Sequence, residues 1–450
     1  MLILKYSDVI QSIMLQERRI PREHYMSRIR ASRGSDLIKV LTGIRRCGKS
    51  TLMRMFIDEL RDSGVPDDRI FSVNLDDEGS GVEIFRDLID AAESEVGDIG
   101  GSIIFLDEVQ NIPEWERAVS TFHVRGADVY ITGSNSGMLS SEIATRLSGR
   151  CLEIRIQPLV FSEYVLFREP GDRAALLEDY IRRGGFPAVA LAMDRMPAQA
   201  DDILDGIYNT VFNKDVTGRH DIRRGATIDH LCAYLMRNIG DRTSVRGAAN
   251  YMTSKGMKTQ PQTIEQYICF LEEAMLFHRA RRLDPKAKEY LRTTDKFYAA
   301  DPGIRNCRVP FRPEDLDGIM ENLVYCELVY RFGSAAVCSV DRYEVDFIAD
   351  PMGSPSYYQV SLSILDPATR ERELRPLRAI GDNYPKTVIT YDRFPTGDID
   401  GIRIVSLLDW LTEGMRPDPE TLIGRHPSLQ GCLEVQQIHP GAAADEGAPH

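Results

Sequence analysis

Residues 37–51 read Leu-Ile-Lys-Val-Leu-Thr-Gly-Ile-Arg-Arg-Cys-Gly-Lys-Ser-Thr. An apolar strand enters a loop bounded by two glycines and leaves into a helix, which is G-x-x-x-x-G-K-[ST] in the setting the motif requires. The pattern commits this part of the chain to a strand–loop–helix unit of an α/β sheet. It also fixes the chemistry of the loop. Gly43 and Gly48 permit a tight turn in which the backbone N–H groups of Ile44, Arg45, Arg46 and Cys47 point inward. Such a nest at a helix N-terminus suits phosphate oxygens. Lys49 is expected to reach the β- and γ-phosphates of a nucleotide, Ser50 to offer its hydroxyl to Mg²⁺, and Thr51 to add a phosphate contact.

A second stretch, 102–108, reads Ser-Ile-Ile-Phe-Leu-Asp-Glu. Four apolar residues in a row suit a strand buried on both faces of a parallel sheet. The strand ends in two carboxylates, where an α/β sheet places its ligand crevice. Asp107 is the expected Mg²⁺-shell carboxylate and Glu108 the expected general base for an attacking water. Further strands are expected at 37–42, 70–75, 129–132 and 152–156, with helices between them, so that 36–157 forms a parallel sheet covered on both faces. Asn74 and Asp76 close the second strand near the same crevice. The fourth strand runs into Gly133-Ser134-Asn135. Asn135, with Ser134 in reserve, is the candidate for orienting the water, against the competing reading of a plain polar turn. Arg150, or else Arg146, lies just before the last core strand. Each is a candidate for stabilising γ-phosphate charge in cis or across a subunit interface, the competing reading being a basic helix end.

The remaining composition narrows the partners. The net charge of −13 over 450 residues argues against wholesale electrostatic binding to nucleic acid, though not against a local basic surface. Cysteines at 47, 151, 232, 269, 307, 326, 338 and 432 have no C-x-x-C spacing, and the histidines have no metal-ligand spacing. Reduced, structural thiols are expected. Lys5, Ser7 and Asp8 interrupt the apolar start, and no run of about 18 apolar residues occurs, so the expected location is the cytoplasm, with no membrane partner.

Residues 1–35 read as a helical lead-in and 158–215 as a helical lid containing the break Arg-Gly-Gly-Phe-Pro at 183–187. The segment 216–305 changes character. Between 219 and 292 fourteen Lys and Arg face eight Asp and Glu, a net of +6. Two short helices followed by strands at 276–280 and 296–299, with basic residues 281–292 between them, outline a winged helix-turn-helix. Such a module docks on DNA or serves as a protein joint, so DNA is a candidate partner through 219–292. Residues 306–412 form another α/β unit, and 413–450 read as a disordered tail.

The strings GIRRCGKST, IIFLDEVQNIPEWE, ITGSNS, LSGR and PLVFSEY, in this order, resemble the bacterial and archaeal AAA+-type ATPases with a C-terminal domain of unknown function. The resemblance covers about residues 15–410. It implies an α/β fold: a P-loop AAA+-type parallel core, a helical lid, a winged-helix segment and a C-terminal α/β domain similar to restriction-type nucleases. A PD-(D/E)xK site needs a helical acid, an Asp on one strand and Glu-x-Lys on the next. Glu321 and Asp346 match the first two, but Gln359 and Ser361 stand where the carboxylate and the ammonium belong. The expected domain is therefore an inactive nuclease fold. The expectation for the whole is an ATP- and Mg²⁺-dependent ATPase acting with DNA, a protein partner or further copies of itself. The alternatives are a nucleotide-dependent binding switch with little turnover and an ATPase-coupled nuclease.

Overall fold

The apolar runs around the P-loop assemble into one parallel sheet. In the computed structural model, which describes residues 20–413 other than 136–146, 148, 221, 223–224, 286, 288, 292–293, 341, 350–352 and 394–395, these are β1 (Ile38–Thr42), β2 (Ile70–Asn74), β3 (Ile103–Asp107), β4 (Asp128–Gly133) and β5 (Cys151–Arg155). Their order is β2-β3-β4-β1-β5. The central strands are apolar on both faces because helices cover both. On one face Phe56, from the helix Lys49–Asp62, meets the rings of Phe105 and Tyr130 at 6.1 and 5.4 Å. On the other, Leu88, Ala92, Ala118, Val119 and Phe122, from the helices Phe85–Val96 and Trp115–Val124, pack on Val40, Ile104 and Ile131. The register sets Thr42 beside Gly133 and Arg155, and Asn74 beside Asp107. All these residues end their strands at one edge, the C-terminal edge where α/β sheets bind ligands.

Helices Phe161–Phe167, Arg173–Arg183, Pro187–Arg195 and Ala200–Thr210 follow, and the last runs into a π-helical stretch, Val211–Gly218. The glycine–proline break expected at 183–187 has a packing cause. A Cβ at Gly184 would lie 1.9 Å from Asp301 Oδ1, and one at Gly185 would lie 2.0 Å from the Leu159 carbonyl oxygen. Buried Asp301 accepts from the N–H groups of Gly185 (2.6 Å), Gly303 (2.8 Å) and Ile304 (3.2 Å). It thus caps the helix Pro302–Arg308 while pinning the break between the helices Arg173–Arg183 and Pro187–Arg195.

Helices Gly225–Arg237, Val245–Ser254 and Pro261–Glu273 pack beside a small antiparallel sheet. Its strands are β6 (Arg242–Thr243), β7 (Phe277–Ala280) and, after β8 (Arg282–Asp284) and β9 (Glu289–Tyr290), β10 (Asp295–Ala299), in the order β6-β10-β7. The pairing of β7 with β10 follows the sequence expectation, but the basic stretch between them is not a free hairpin tip. β8 pairs parallel with β11 (Ala336–Val340), so these residues belong to a larger mixed sheet. That sheet continues through β12 (Tyr343–Ala349), β13 (Ser356–Ser361), β14 (Lys386–Thr390), β15 (Gly397–Ile399) and β16 (Ile402–Ser406), in the order β15-β16-β14-β13-β12-β11-β8-β9. The helices Leu316–Phe332 and Pro367–Arg378 contribute to two separate apolar clusters on it. Among the described residues no helix is long and apolar enough to cross a membrane. Most of the lead-in and the tail from 414 lie outside them.

Asp301→Ala removes the acceptor of three buried N–H groups. The expected loss is about 2–3 kcal/mol of unfolding free energy, read as a lower denaturant midpoint at unchanged slope.

Candidate functional site

The P-loop closes over the end of β1 because Gly43 is pressed against the residue that follows the neighbouring strand β5; a Cβ there would lie 2.3 Å from the Ile156 carbonyl oxygen. Lys49 Nζ donates to the carbonyl oxygens of Gly43 (2.9 Å) and Ile44 (3.4 Å) and stands 3.7 Å from Glu108 Oε1. Ser50 Oγ donates to Asp107 Oδ1 at 3.0 Å. That oxygen also accepts from the Thr132 hydroxyl, and Thr132 Oγ1 in turn accepts from the Glu108 N–H at 2.9 Å. Glu108 holds a left-handed backbone at φ 59°, a sparsely populated conformation for a non-glycine residue. Gln110 Nε2 donates to Glu108 Oε2 at 2.5 Å. Burial acts against the Glu108 carboxylate, but Lys49 and then Arg45 more than offset it and hold its pKa below the ordinary value. Burial instead raises Asp107.

A cavity of about 490 Å³ opens here, lined among others by Arg22, Arg45, Lys49, Ser50, Asp107 and Glu108. Arg46 and Thr51 also line it. Ile44 and Cys47 are buried beneath the loop, and burial raises the Cys47 thiol, which makes it a poor nucleophile. A hydroxyl and a carboxylate converging beside the P-loop form a hard oxygen set of the kind that suits Mg²⁺ with retained waters. The donor chemistry of Ser50 and Asp107 therefore fits that ion.

Ser134 and Asn135 are candidates from the sequence, whereas Thr132, Arg22 and Asp215 escape sequence reasoning. Thr132 shares one oxygen of Asp107 with Ser50. Ser134 lies beside Gln110 at 3.4 Å and donates to Asp215 Oδ1 at 3.1 Å. Asn135 is half-buried next in the chain. Arg22 donates through Nη1 to the Cys47 carbonyl (3.0 Å) and through Nε and Nη2 to Glu163 (2.9 and 2.5 Å), joining the P-loop to the helix Phe161–Phe167. Arg45 donates through Nε and Nη2 to Asp215 at 3.0 and 3.3 Å. Only the inward-facing period of β4 hints at Thr132, and nothing local marks Arg22 or Asp215. Arg150 requires a correction. It precedes β5 at the end where Ile38 pairs with Cys151, so it sits at the edge opposite Thr42, with its guanidinium 3.4 Å from His123 Nε2. Four strand residues separate the two edges, roughly 13 Å, so Arg150 does not complete this site in cis. Arg146 lies outside the described residues.

The second candidate cluster also gathers residues from afar. Lys296 Nζ lies 2.7 Å from Glu321 Oε1, 3.4 Å from Asp346 Oδ1 and 3.4 Å from Glu344 Oε1. Tyr298 donates to Glu321 at 2.5 Å. Gln359 Nε2 donates to Glu373 Oε2 at 2.9 Å, and Ser361 Oγ to the Ser363 carbonyl at 3.2 Å. Glu321, Asp346 and Gln359 thus meet, while Ser361 bonds along its own strand end. Lys296, from the small sheet, supplies the ammonium. Among the described residues no group of three or more His, Cys, Asp or Glu is arranged to hold a metal ion.

A P-loop, paired carboxylates on the neighbouring strand and a five-stranded parallel sheet define an AAA-type P-loop ATPase fold. A family profile described as an AAA domain matches residues 35–165, and one for a domain of unknown function (DUF8612) matches 174–315. An uncharacterized protein of Haemophilus influenzae is 32% identical over 401 residues, covering 88% of this chain and 99% of its own length. The chain belongs to the same family as that protein. A second relative, an uncharacterized protein of Methanocaldococcus jannaschii, is 28% identical over 380 residues, 79% of this chain and 82% of its own. Among solved structures, the Walker-type ATPase of Pyrococcus abyssi overlaps at a TM-score of 0.43 with 15% identity, covering 64% of this chain and 95% of its own.

Lys296→Met leaves buried carboxylates without their cation, at a cost of roughly 3–5 kcal/mol. Burial, then the facing Asp346, already raises Glu321, and the substitution raises it further. The folded form then holds protons the unfolded form has released, so the variant's stability should fall as pH rises above the ordinary carboxylate range. Chemical denaturation from pH 5 to 8 reads this slope, and an equally flat profile in variant and wild type would count against the counter-ion role.

Proposed function

We propose that this chain is an ATP-hydrolysing AAA+-type protein. One observation carries the reading: Lys49, Ser50, Asp107 and Glu108 converge at the mouth of one cavity on the P-loop. The loop N–H groups and Lys49 bind the phosphates, with Thr51 beside them. Ser50 and Asp107 would hold Mg²⁺, which supplies charge neutralisation at the phosphates when bound. Glu108 orients the attacking water and accepts its proton, steadied by Gln110 and by Thr132 beneath its backbone. Arg150, which faces away from its own P-loop, acts in trans from a second copy.

The binding switch remains as a second reading, favoured by one feature. Lys49, Arg45 and Gln110 all engage Glu108 and depress its basicity, which slows proton abstraction. For the 216–305 segment a winged-helix-like joint between proteins fits better than a DNA reader. Its third helix, Pro261–Glu273, carries Glu265, Glu272 and Glu273 and no Lys or Arg. Arg282 lies 3.4 Å from Glu344, and Arg279 pairs with Glu265 and Glu272. The basic residues left exposed there include Arg246, Lys255 and Lys258. For 306–412 we propose a nuclease-like fold without cleavage activity, because Gln359 stands where the second strand carboxylate belongs.

Phosphate release with Mg²⁺ tests the main reading. Lys49→Ala should lose nucleotide binding, whereas Glu108→Gln should keep it and lose turnover at least 100-fold. Wild-type binding without turnover would select the switch. Specific activity should rise with protein concentration if Arg150 acts in trans, and Arg150→Ala should abolish that rise. DNA cutting with Mg²⁺ or Mn²⁺ that Asp346→Ala removes would defeat the inactive-nuclease assignment.

A further inference from the structure

Asp215 is a carboxylate that reaches the P-loop from beyond the core sheet, by way of Arg45. Its side chain is 1% exposed, and the π-helical stretch Val211–Gly218 carries it. A π-helical insertion widens the helix and re-aims the side chains that follow it, which makes it a recurrent device at functional sites. Here Oδ2 accepts from Arg45 Nε at 3.0 Å, while Oδ1 accepts from Arg45 Nη2 (3.3 Å), Ser134 Oγ (3.1 Å) and Arg219 Nη2 (3.3 Å). One lid carboxylate thus holds the P-loop and the loop after β4 together.

The same guanidinium has other neighbours. Its Nη2 lies 3.9 Å from Glu108 Oε2 and its Nη1 lies 3.5 Å from Asp76 Oδ2, and Arg45 lines the cavity. If Glu108 acts on the water that attacks the terminal phosphate, a cation within 4 Å of it stands at the γ-phosphate end. Arg45 is therefore shared between two anions: the lid carboxylate, always present, and a terminal phosphate that only a triphosphate provides. Arginine suits this exchange because its planar fork binds carboxylate and phosphate in the same bidentate manner.

We infer that Asp215 is a positioning residue of the nucleotide site, which holds Arg45 at the γ-phosphate end and competes with that phosphate for it, so that triphosphate and diphosphate are distinguished at the lid. The inference deepens the proposed function and rests on it. A triphosphate draws the guanidinium away from Asp215 and loosens the lid on the P-loop. A diphosphate leaves the pair intact.

The test is binding of ADP and of a non-hydrolysable triphosphate, adenylyl imidodiphosphate, each with Mg²⁺, to the full chain, together with hydrogen exchange across 211–218. Wild type should bind both, and Lys49→Ala neither; no binding by wild type would sink the nucleotide reading itself and this inference with it. Asp215→Asn keeps the shape and removes the competing charge. It should raise the preference for triphosphate over ADP at least fivefold. Exchange across 211–218, which should differ between the two ligands in wild type, should no longer do so. Arg45→Gln should lower the preference at least fivefold, and the double variant should match Arg45→Gln alone. Parallel loss of affinity for both nucleotides in Asp215→Asn would show a merely structural role, and an unchanged preference in either variant would overturn the proposal. Arg45→Gln keeps the test open should Asp215→Asn fail to fold.

Discussion

A buried charge cannot stand unpaired, and in this chain the pairing is done by residues far apart in sequence. Arg22 meets Glu163 across 141 residues, and Arg45 meets Asp215 across 170. Lys296 meets Asp346 across 50. Removing one partner of such a pair costs several kcal/mol, mostly because the other is stranded, whereas the intact pair contributes little net stability. These contacts are therefore poor as a source of stability and good at fixing which segments lie together. Burial weighs against the Arg22 charge and Glu163 most strongly restores it, so the guanidinium's pKa ends above its usual range. The P-loop is held by this means on two sides, by the helix Phe161–Phe167 through Arg22 and by the π-helical stretch Val211–Gly218 through Asp215.

The division between what the sequence shows and what it hides follows from the same fact. The P-loop, the Asp107–Glu108 pair and the five core strands are local patterns: glycines at a turn, apolar runs ending in acids, helices of period 3.6 between them. Such features are written in consecutive residues and are legible there. Asp215 is not, because a lone Asp in a lid helix reads as a solvated face. Only the π-helical offset turns it onto Arg45. Lys296 lies in a strand of the small sheet, with no spacing relation to Glu321 or Asp346, and tertiary packing alone brings it there. The basic stretch at 281–292 misled for a related reason. Alternation identifies strands but not the sheet they join, and β8 finds its partner in β11. Thr132, on the strand itself, reaches the Asp107 carboxylate, and no local motif marks it.

The two charged clusters answer opposite requirements. At the P-loop, the cations Arg22, Arg45 and Lys49 gather around a cavity, and each keeps at least one bond that a stronger anion could replace. At the second cluster one ammonium faces the carboxylates of Glu321, Glu344 and Asp346 with Tyr298 behind it, and Gly240 approaches so closely that a Cβ there would lie 2.9 Å from Glu321 Oε2. Here the carboxylates are met by the protein's own cation, under a close-packed glycine. The first arrangement suits exchange of ligands. The second suits permanence.

Between them lies a contact that fixes their relative position. Arg155, the residue that pairs with Thr42 at the P-loop edge, donates through Nη2 to His278 Nδ1 at 2.9 Å. A guanidinium can only donate, so Nδ1 accepts and the ring is neutral with its proton on Nε2. Burial first, and then Arg155, drive the His278 pKa well below its usual value, in keeping with that tautomer. His278 pairs across strands with Tyr298, whose hydroxyl reaches Glu321. The contacts from the P-loop edge to the second cluster are thus continuous, though contiguity by itself is not coupling. What they do is set geometry. A protonated His278 would place two cations face to face inside the protein, and the depressed pKa keeps the ring neutral through the neutral pH range. The parallel sheet and the small antiparallel sheet thus meet through a joint made of one cation and one neutral ring.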